Sequence, residues 1–236
     1  MKNVHCLLAV LIVLAFALPV GAGQYYAGPI GGLNIADGDV TDGEGCDRVT
    51  SSRTVFGFGG IFGLVLSETV SLELQPKYLQ KGTTTKAHDN QPDMDWKFAF
   101  IEVPLLAKIS FGQQIKPYVK VGPTFGLLLS AEVEAEGGGV IQGSPLTTYT
   151  ADIKDASKSF ELGGIIGAGL SFPLENITIF VDGRYGMGLG DILDGGDIEW
   201  KGGGETIEGS IYEEAELKTK GFQIMAGAVF PFGAPK

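Results

Sequence analysis

The stretch VSLELQPKYLQKG, from Val70 to Gly82, alternates strictly between two kinds of side chain. Valine, leucine, proline and tyrosine fall on one parity, and serine, glutamate, glutamine and lysine fall on the other. Because successive side chains of an extended strand point to opposite sides, the pattern predicts a β-strand with two chemically different faces. This strand alone leaves open which face meets water, so the other segments must decide.

Seven further segments carry a comparable alternating or apolar pattern, and no amphipathic helix lies between them. Most are longer than an ordinary globular strand of about 5 to 6 residues. They reach or exceed the roughly 9 to 11 residues that a tilted transmembrane strand requires. The eight predicted strands cover residues 24–36, 54–66, 69–80, 96–111, 115–132, 159–172, 176–189 and 219–232.

The links between the predicted strands alternate between long and short. Long stretches such as DGDVTDGEGCDRVTSSR follow the odd-numbered strands, and short turns such as GQQ follow the even-numbered ones. This rhythm is typical of bacterial outer-membrane barrels, which have long external loops and tight periplasmic turns. We therefore expect an all-β fold, an eight-stranded antiparallel up-and-down transmembrane β-barrel.

The amino terminus has the three parts of a secretory signal peptide. Lys2 gives a short positive start, an unbroken apolar run extends from Cys6 to Leu18, and small residues follow. The run is too short to span a bilayer comfortably as a helix. We expect a cleavable signal peptide over residues 1–22 and a barrel domain over residues 23–236.

The polar faces of the predicted strands are unlike a soluble surface. They are rich in glycine, of which the chain has 37, and carry a few long charges of both signs. An eight-stranded barrel has an interior just wide enough for side chains to fill it, and buried charges must be paired. We expect a barrel-interior network of four cations and four anions, formed by Glu73, Lys77, Glu102, Lys108, Lys120, Glu161, Asp182 and Arg184.

Aromatic residues lie near both ends of the predicted strands. Aromatic girdles are expected at the two membrane interfaces of such barrels. The predicted interface residues are Tyr25, Phe111, Phe172, Phe230 and Phe232 near the periplasmic rim, and Trp96, Phe98 and Tyr185 nearer the outer rim.

Four strand motifs resemble a known family. LELQPKYLQKG, FIEVPLLAKISFG, KPYVKVGPTFGLLLSAE and the closing GFQIMAGAVFPF are similar to strands of the PorT-like outer-membrane β-barrel domain family. That family often has glutamate where this chain has Lys77, so no role of that carboxylate carries over. The resemblance implies a small outer-membrane barrel of the OmpA and OmpX type and no particular chemistry.

Motifs for catalysis are absent from the sequence. It contains no GxSxG, HExxH or Walker-type pattern and no cysteine pair for a metal, and His88 is the single histidine after the predicted signal peptide. We expect no enzyme activity, no metal site and no cofactor.

Charge also limits the partners. Most of the 28 aspartate and glutamate residues lie in the long links, and the net charge is −11, which makes nucleic acid an unsuitable partner. We expect a monomer in outer-membrane lipid, located in the bacterial outer membrane. Its acidic loops would keep the surface soluble, contact lipopolysaccharide through divalent cations, or contact a protein. Two alternatives stay open, a small porin for solutes and a soluble lipocalin-like lipid-binding barrel.

Overall fold

The computed structural model describes residues 24–41, 49–86, 93–136, 148–212 and 214–233. The predicted signal peptide, Cys46 and His88 lie outside these residues. The described part forms thirteen β-strands: β1 Gln24–Thr41, β2 Thr50–Ser51, β3 Arg53–Val65, β4 Val70–Leu74, β5 Lys77–Thr85, β6 Met94–Ser110, β7 Lys116–Glu136, β8 Thr148–Asp152, β9 Phe160–Pro173, β10 Thr178–Gly188, β11 Gly196–Gly202, β12 Glu205–Ile211 and β13 Glu216–Phe232. Within these residues, no helix has the length and apolar character needed to cross a membrane.

All the strands belong to one antiparallel sheet whose pairing closes on itself. From β1 the ladder passes through β13, β10, β9 and β7 to β6. β6 pairs with β4 and β5, both of which pair with β3, and β3 pairs with β1. The sheet is therefore a closed ring, and the remaining strands branch from it at the end that carries the long connections, called the loop end below.

The strands differ from the eight predicted segments in number and in length. The predicted segment 69–80 is split into β4 and β5 at Gln75 and Pro76, because proline has no N–H to donate to the ladder. The strands β2, β8, β11 and β12 lie inside the long links. β1, β5, β7 and β13 also continue further toward the loop end, where cross-strand ion pairs such as Asp39–Lys220 (2.5 Å) join polar positions.

Two apolar clusters lie on the enclosed side of the sheet, one near the loop end and one near the opposite end, called the turn end because it carries the short connections. The turn-end cluster consists of Ile30, Ile61, Tyr118, Phe180, Met225 and Val229. The loop-end cluster consists of Val40, Phe98, Phe100, Leu128, Ala131, Val133, Ala151, Ile153, Ala156, Ile192, Leu193, Ile198, Ile211 and Leu217. Half of the loop-end cluster comes from the connections that follow β7 and β10, so the described parts of these two connections pack against the end of the ring.

Candidate functional site

The buried charges lie between the two apolar clusters, on the enclosed side of the ring. Seven of the eight charged residues of the predicted network are at most 4% exposed, and the side chain of Lys108 is 12% exposed. Each occupies the parity that its strand turns inward, opposite the apolar parity. The structure therefore brings all eight into one buried region.

One chain of contacts runs toward the turn end. The Arg184 guanidinium pairs with the Asp182 carboxylate at 2.7 Å, and Lys120 Nζ lies 2.8 Å from the same carboxylate. Lys120 also reaches Glu73 at 3.3 Å, and Glu73 pairs with Lys108 at 3.1 Å. Each carboxylate in this chain contacts two cations, so no charge is buried alone.

A second chain lies nearer the loop end. Glu102 lies 2.9 Å from both Lys77 Nζ and Lys81 Nζ, and Lys81 pairs with Glu161 at 2.5 Å. Lys81 is absent from the predicted network because the predicted strand stopped at residue 80. Its parity matches that of Lys77, so extending the alternation would have identified it. With Lys81 the network has five cations and four anions.

Neutral side chains add hydrogen bonds within each of these two chains of contacts, and the sequence-based prediction omitted them. Gln75 Nε2 donates to Glu73 at 2.6 Å, and its Oε1 accepts from Arg184 at 2.8 Å. Lys77 Nζ donates to Gln223 Oε1 at 3.2 Å. The hydroxyls of Tyr26 and Tyr118 donate to Glu73 at 2.7 Å and to Asp182 at 2.9 Å. Gln75 and the two tyrosines thus give the Glu73 and Asp182 carboxylates hydrogen-bond donors beyond their lysine and arginine partners.

Glycine leaves the space that these long side chains occupy. A Cβ atom on Gly169 would lie 2.5 Å from Asp182 Cβ and 2.6 Å from Tyr118 Cζ. One on Gly167 would lie 2.7 Å from Arg184 Cβ. Two cavities of about 10 Å³ each remain beside the network, which is room for about one water molecule in each.

The outward parity of the ring is apolar and exposed. On β13 the outward side chains from Phe222 to Phe232 are all apolar, with Ile224 48% and Phe230 51% exposed, while the inward Met225 is fully buried. Ten residue steps at about 3.4 Å, tilted by about 40°, give an apolar band about 25 Å tall. This height matches the hydrophobic band of transmembrane barrels. The lipocalin-like alternative needed these aliphatic faces to enclose a cavity, and they face outward instead.

Six of the eight predicted interface aromatics lie on the wall at exposed or half-buried positions. Tyr25 stacks on Phe232 with ring centroids 5.8 Å apart, at the turn end. These six, on the outer side of the ring, are Tyr25, Phe111, Phe172, Tyr185, Phe230 and Phe232.

The other two aromatics require a correction. Phe98 is 2% exposed inside the loop-end cluster, and Trp96 packs against that cluster with its Nε1 donating to Thr85 Oγ1 at 3.3 Å. Both residues share the inward parity of Glu102 on β6, so neither lies at a membrane interface. The alternation rule itself would have assigned them correctly.

The long connections are held by specific polar contacts at the loop end. The Asp191 carboxylate accepts from the backbone N–H groups of Leu193 at 3.0 Å and Leu217 at 2.8 Å. It also pairs with Lys158 at 2.9 Å, and this hydrogen bond raises the pKa of the lysine. Across the described ranges, no three histidine, cysteine, aspartate or glutamate side chains are grouped to hold a metal ion.

One family model matches most of the chain. The family model described as "Outer membrane protein beta-barrel domain" matches residues 25–194, which includes most of the ring and its charged interior. No curated protein matches the chain significantly.

Solved structures give weaker matches. Neisserial surface protein A is 14% identical, with a TM-score of 0.43 over 89% of this chain and 99% of that one. OprG from Pseudomonas aeruginosa is 13% identical, with a TM-score of 0.43 over 90% of this chain and 97% of that one. The outer membrane protease OmpT from Escherichia coli is 10% identical, with a TM-score of 0.41 over 92% and 99%.

Proposed function

Because the chain belongs to the outer membrane protein β-barrel domain family, we propose that it is a closed, eight-stranded surface barrel of the bacterial outer membrane. Counting β4 and β5 as one strand interrupted at Pro76, the ring has eight members. The four motifs noted above favour the PorT-like branch of these barrels. Residues 1–22 would be the export signal and residues 23–236 the barrel domain, and sequencing the amino terminus of the exported protein tests this division.

One observation carries the proposal, the inverted polarity of the ring. Charged side chains are enclosed and paired, while large aliphatic and aromatic side chains are exposed over a band about 25 Å tall. In water, such a surface would exceed the apolar patches that soluble monomers expose. Outer-membrane lipid is the solvent that fits it.

The filled interior favours a barrel that does not conduct. Barrels of 16 to 18 strands leave an aqueous channel, whereas an eight-stranded one is narrow enough for side chains to fill. Arg184, Lys77 and Lys120 are among the largest fully buried side chains of the described residues. Together with the apolar clusters at both ends, they would block the passage of solutes.

The loop end would supply the biological activity, as a rigid acidic platform at the cell surface. Exposed carboxylates on β11, β12 and the start of β13 give this end a negative field, which attracts cationic groups. Contact with lipopolysaccharide through divalent cations fits this charge, as does contact with a basic protein segment. We propose that the barrel works as a monomer.

The first experiment tests both the barrel and its closure. We expect the outer-membrane fraction to contain a protein that migrates differently on a gel before and after boiling, since a closed barrel resists unfolding in detergent. In planar bilayers, the parent protein should give no steady openings. The Arg184→Ala variant, which removes the bulkiest fully buried side chain, is the positive control and should raise ion leak.

Two outcomes would oppose the proposal. Recovery in the soluble fraction with no heat-dependent shift would remove the membrane assignment. Steady nanosiemens-scale openings of the parent protein would favour the porin alternative over a closed barrel.

A further inference from the structure

The hairpin of β11 and β12 stands at the loop end, and β12 forms an edge of the described sheet. β11 pairs with β8 on one side and with β12 on the other, while β12 pairs with β11 alone among the described residues. The first four residues of β12 are exposed. The opposite edge strand, β2, has only two residues. β12 is therefore the longer free edge of this sheet.

The turn of the hairpin shows which backbone groups point to the open side. Gly203 and Gly204 have φ values of +60° and +86°, as a two-residue type I′ turn requires. The flanking pair Gly202–Glu205 is then hydrogen-bonded, and such pairs alternate along an antiparallel ladder. Residues 206, 208 and 210 consequently direct their N–H and C=O groups away from β11, toward the open edge.

The side chains beside this edge fall on two faces of different chemistry. On the polar face Glu208 lies directly opposite Glu199, which is an unfavourable like-charge pair. Lys201 Nζ lies 3.4 Å from the Glu199 carboxylate and reduces this repulsion only in part. On the other face Ile207, 45% exposed, lies opposite the half-buried Trp200, and the exposed Glu205 shares this face next to the turn.

The hairpin is anchored where it leaves the ring. Ile198 and Ile211 at its base are buried in the loop-end cluster, and β11 is paired with β8 near the turn. The edge is therefore held in an extended conformation before any partner arrives, which reduces the entropy lost on binding.

We propose that the open edge of β12 binds an extended cationic peptide segment that joins the sheet as its next strand. Basic side chains of the segment would lie beside Glu208 and relieve its repulsion with Glu199, and the alternate apolar side chains would lie beside Ile207. Main-chain hydrogen bonds to residues 206, 208 and 210 supply the affinity in this mode of recognition. The proposal rests on the proposed function, which places this end at the cell surface.

Charge decides between a foreign segment and a second copy of the chain. Pairing two β12 edges would bring Glu205 and Glu208 of both copies together, and each chain has a net charge of −11. Like charges placed opposite each other across a sheet are destabilising. The edge thus discourages self-association and selects a segment of opposite charge.

The test uses the full barrel in nanodiscs of zwitterionic lipid, so that the probe has no anionic membrane to bind. The probe is a labelled seven-residue peptide that alternates lysine and valine, followed by fluorescence anisotropy. We expect saturable binding that Glu208→Lys weakens by about tenfold and that added salt weakens further. Thr206→Pro, which removes one outward N–H without breaking a bond to β11, should weaken binding similarly.

A matched variant separates the edge from the general acidity of the loop end. Glu216→Lys makes the same charge change on β13, away from the hairpin, and should alter affinity much less than Glu208→Lys. Equal losses in the two variants would overturn the proposal, as would tight binding of a glutamate–valine peptide or no binding of the probe. Undiminished binding of a probe N-methylated at alternate residues would also overturn it, because strand addition needs those donors. The heat-dependent gel shift and bilayer conductance are read separately, so a failure of the barrel proposal is distinguishable.

Discussion

Glu73 shows how the interior makes buried charge tolerable. Its two carboxylate oxygens contact Lys108 and Lys120 and accept hydrogen bonds from Tyr26 and Gln75. Removing one member of a buried ion pair usually costs more than the pair contributes, because the remaining charge stays desolvated. Substitutions that remove a charge from the network but keep the shape of the side chain should therefore lower the free energy of unfolding strongly.

We expect Glu73→Gln to lower the free energy of unfolding by about 3 to 5 kcal/mol, since it leaves Lys108 and Lys120 with too little negative charge. Urea unfolding from lipid vesicles measures the change. Glu68→Gln is the matched control, because Glu68 is exposed at the β3–β4 turn and should stay within about 0.5 kcal/mol of the parent. Equal stability of the two variants would contradict a pairing role for Glu73.

Two glycines of β9 give a second comparison at single positions. Gly169→Ala places a methyl group against Asp182, Tyr118 and the strand β10, and we expect a loss of about 1 to 3 kcal/mol from overpacking. A Cβ on Gly164 would meet nothing within 4 Å, so Gly164→Ala should be nearly neutral. The same urea titration measures both variants. If Gly169→Ala left the free energy of unfolding unchanged, the side chains around Gly169 would be able to move aside for a methyl group.

Prolines form a row across three neighbouring strands of the ring. Gly60 N–H donates to the Pro76 carbonyl at 2.9 Å, and Gln75 N–H donates to the Pro104 carbonyl at 3.1 Å, but neither proline can return a bond. On the next ladder, the pairs Pro104–Thr124 and Ala107–Val121 set a register that puts Leu105 opposite Pro123. The Phe111 N–H bond to the Pro117 carbonyl makes this, by alternation, a hydrogen-bonded position. Pro76, Pro104 and Pro123 belong to three of the four strand motifs noted in the sequence. The structure aligns them into a line of half-bonded pairs.

We expect Pro123→Ala to slow amide hydrogen exchange at the centre of the β6–β7 ladder, because the new N–H can pair with the Leu105 carbonyl. Exchange followed by mass spectrometry on peptides from both strands measures the effect. Pro231→Ala, at the turn end of β13, is the control and should leave these peptides unchanged. Unchanged or faster exchange in Pro123→Ala would show that the row does not weaken this ladder.

At the scale of the whole molecule, the ring is a protein with its polarity reversed. Its charged network is enclosed, its apolar side chains are exposed, and most of the exposed acidic groups lie beyond one end. A soluble domain of the same strand pattern would place the aliphatic parity inside. The stability of the molecule should therefore depend on its solvent more than on any single contact.

We expect Ala226→Arg, near the middle of the outward band of β13, to destabilise the barrel in lipid by about 2 to 4 kcal/mol. Glu216→Arg, exposed beyond the band on the same strand, should cost about 1 kcal/mol or less. Folding yield into lipid vesicles, read from the heat-dependent gel shift, reports the difference. If Ala226→Arg folded as well as the control, this face would not be in contact with lipid.

The alternation of side chains determined much of the molecule without any tertiary information. All eight predicted segments overlap strands of the ring, and the parity of Glu73, Lys77 and Asp182 identifies their enclosed side. These features are local, because the two-residue period of a strand is written in its own sequence. The same rule, applied consistently, would have placed Phe98 inside and extended the network to Lys81.

The contacts between distant residues depend on closure of the ring. Lys77 and Gln223, 146 residues apart, meet only because β13 and β1 complete the ring, and no pattern along one strand specifies such a partner. The acidic links gave no sign of β8, β11 or β12, because these short strands are stabilised by the loop-end cluster that their own folding creates. The sequence by itself determined which face of each strand is charged, since that depends on neighbouring residues. Only the tertiary structure decided which charges pair and how the loops close over them, since those contacts join distant strands.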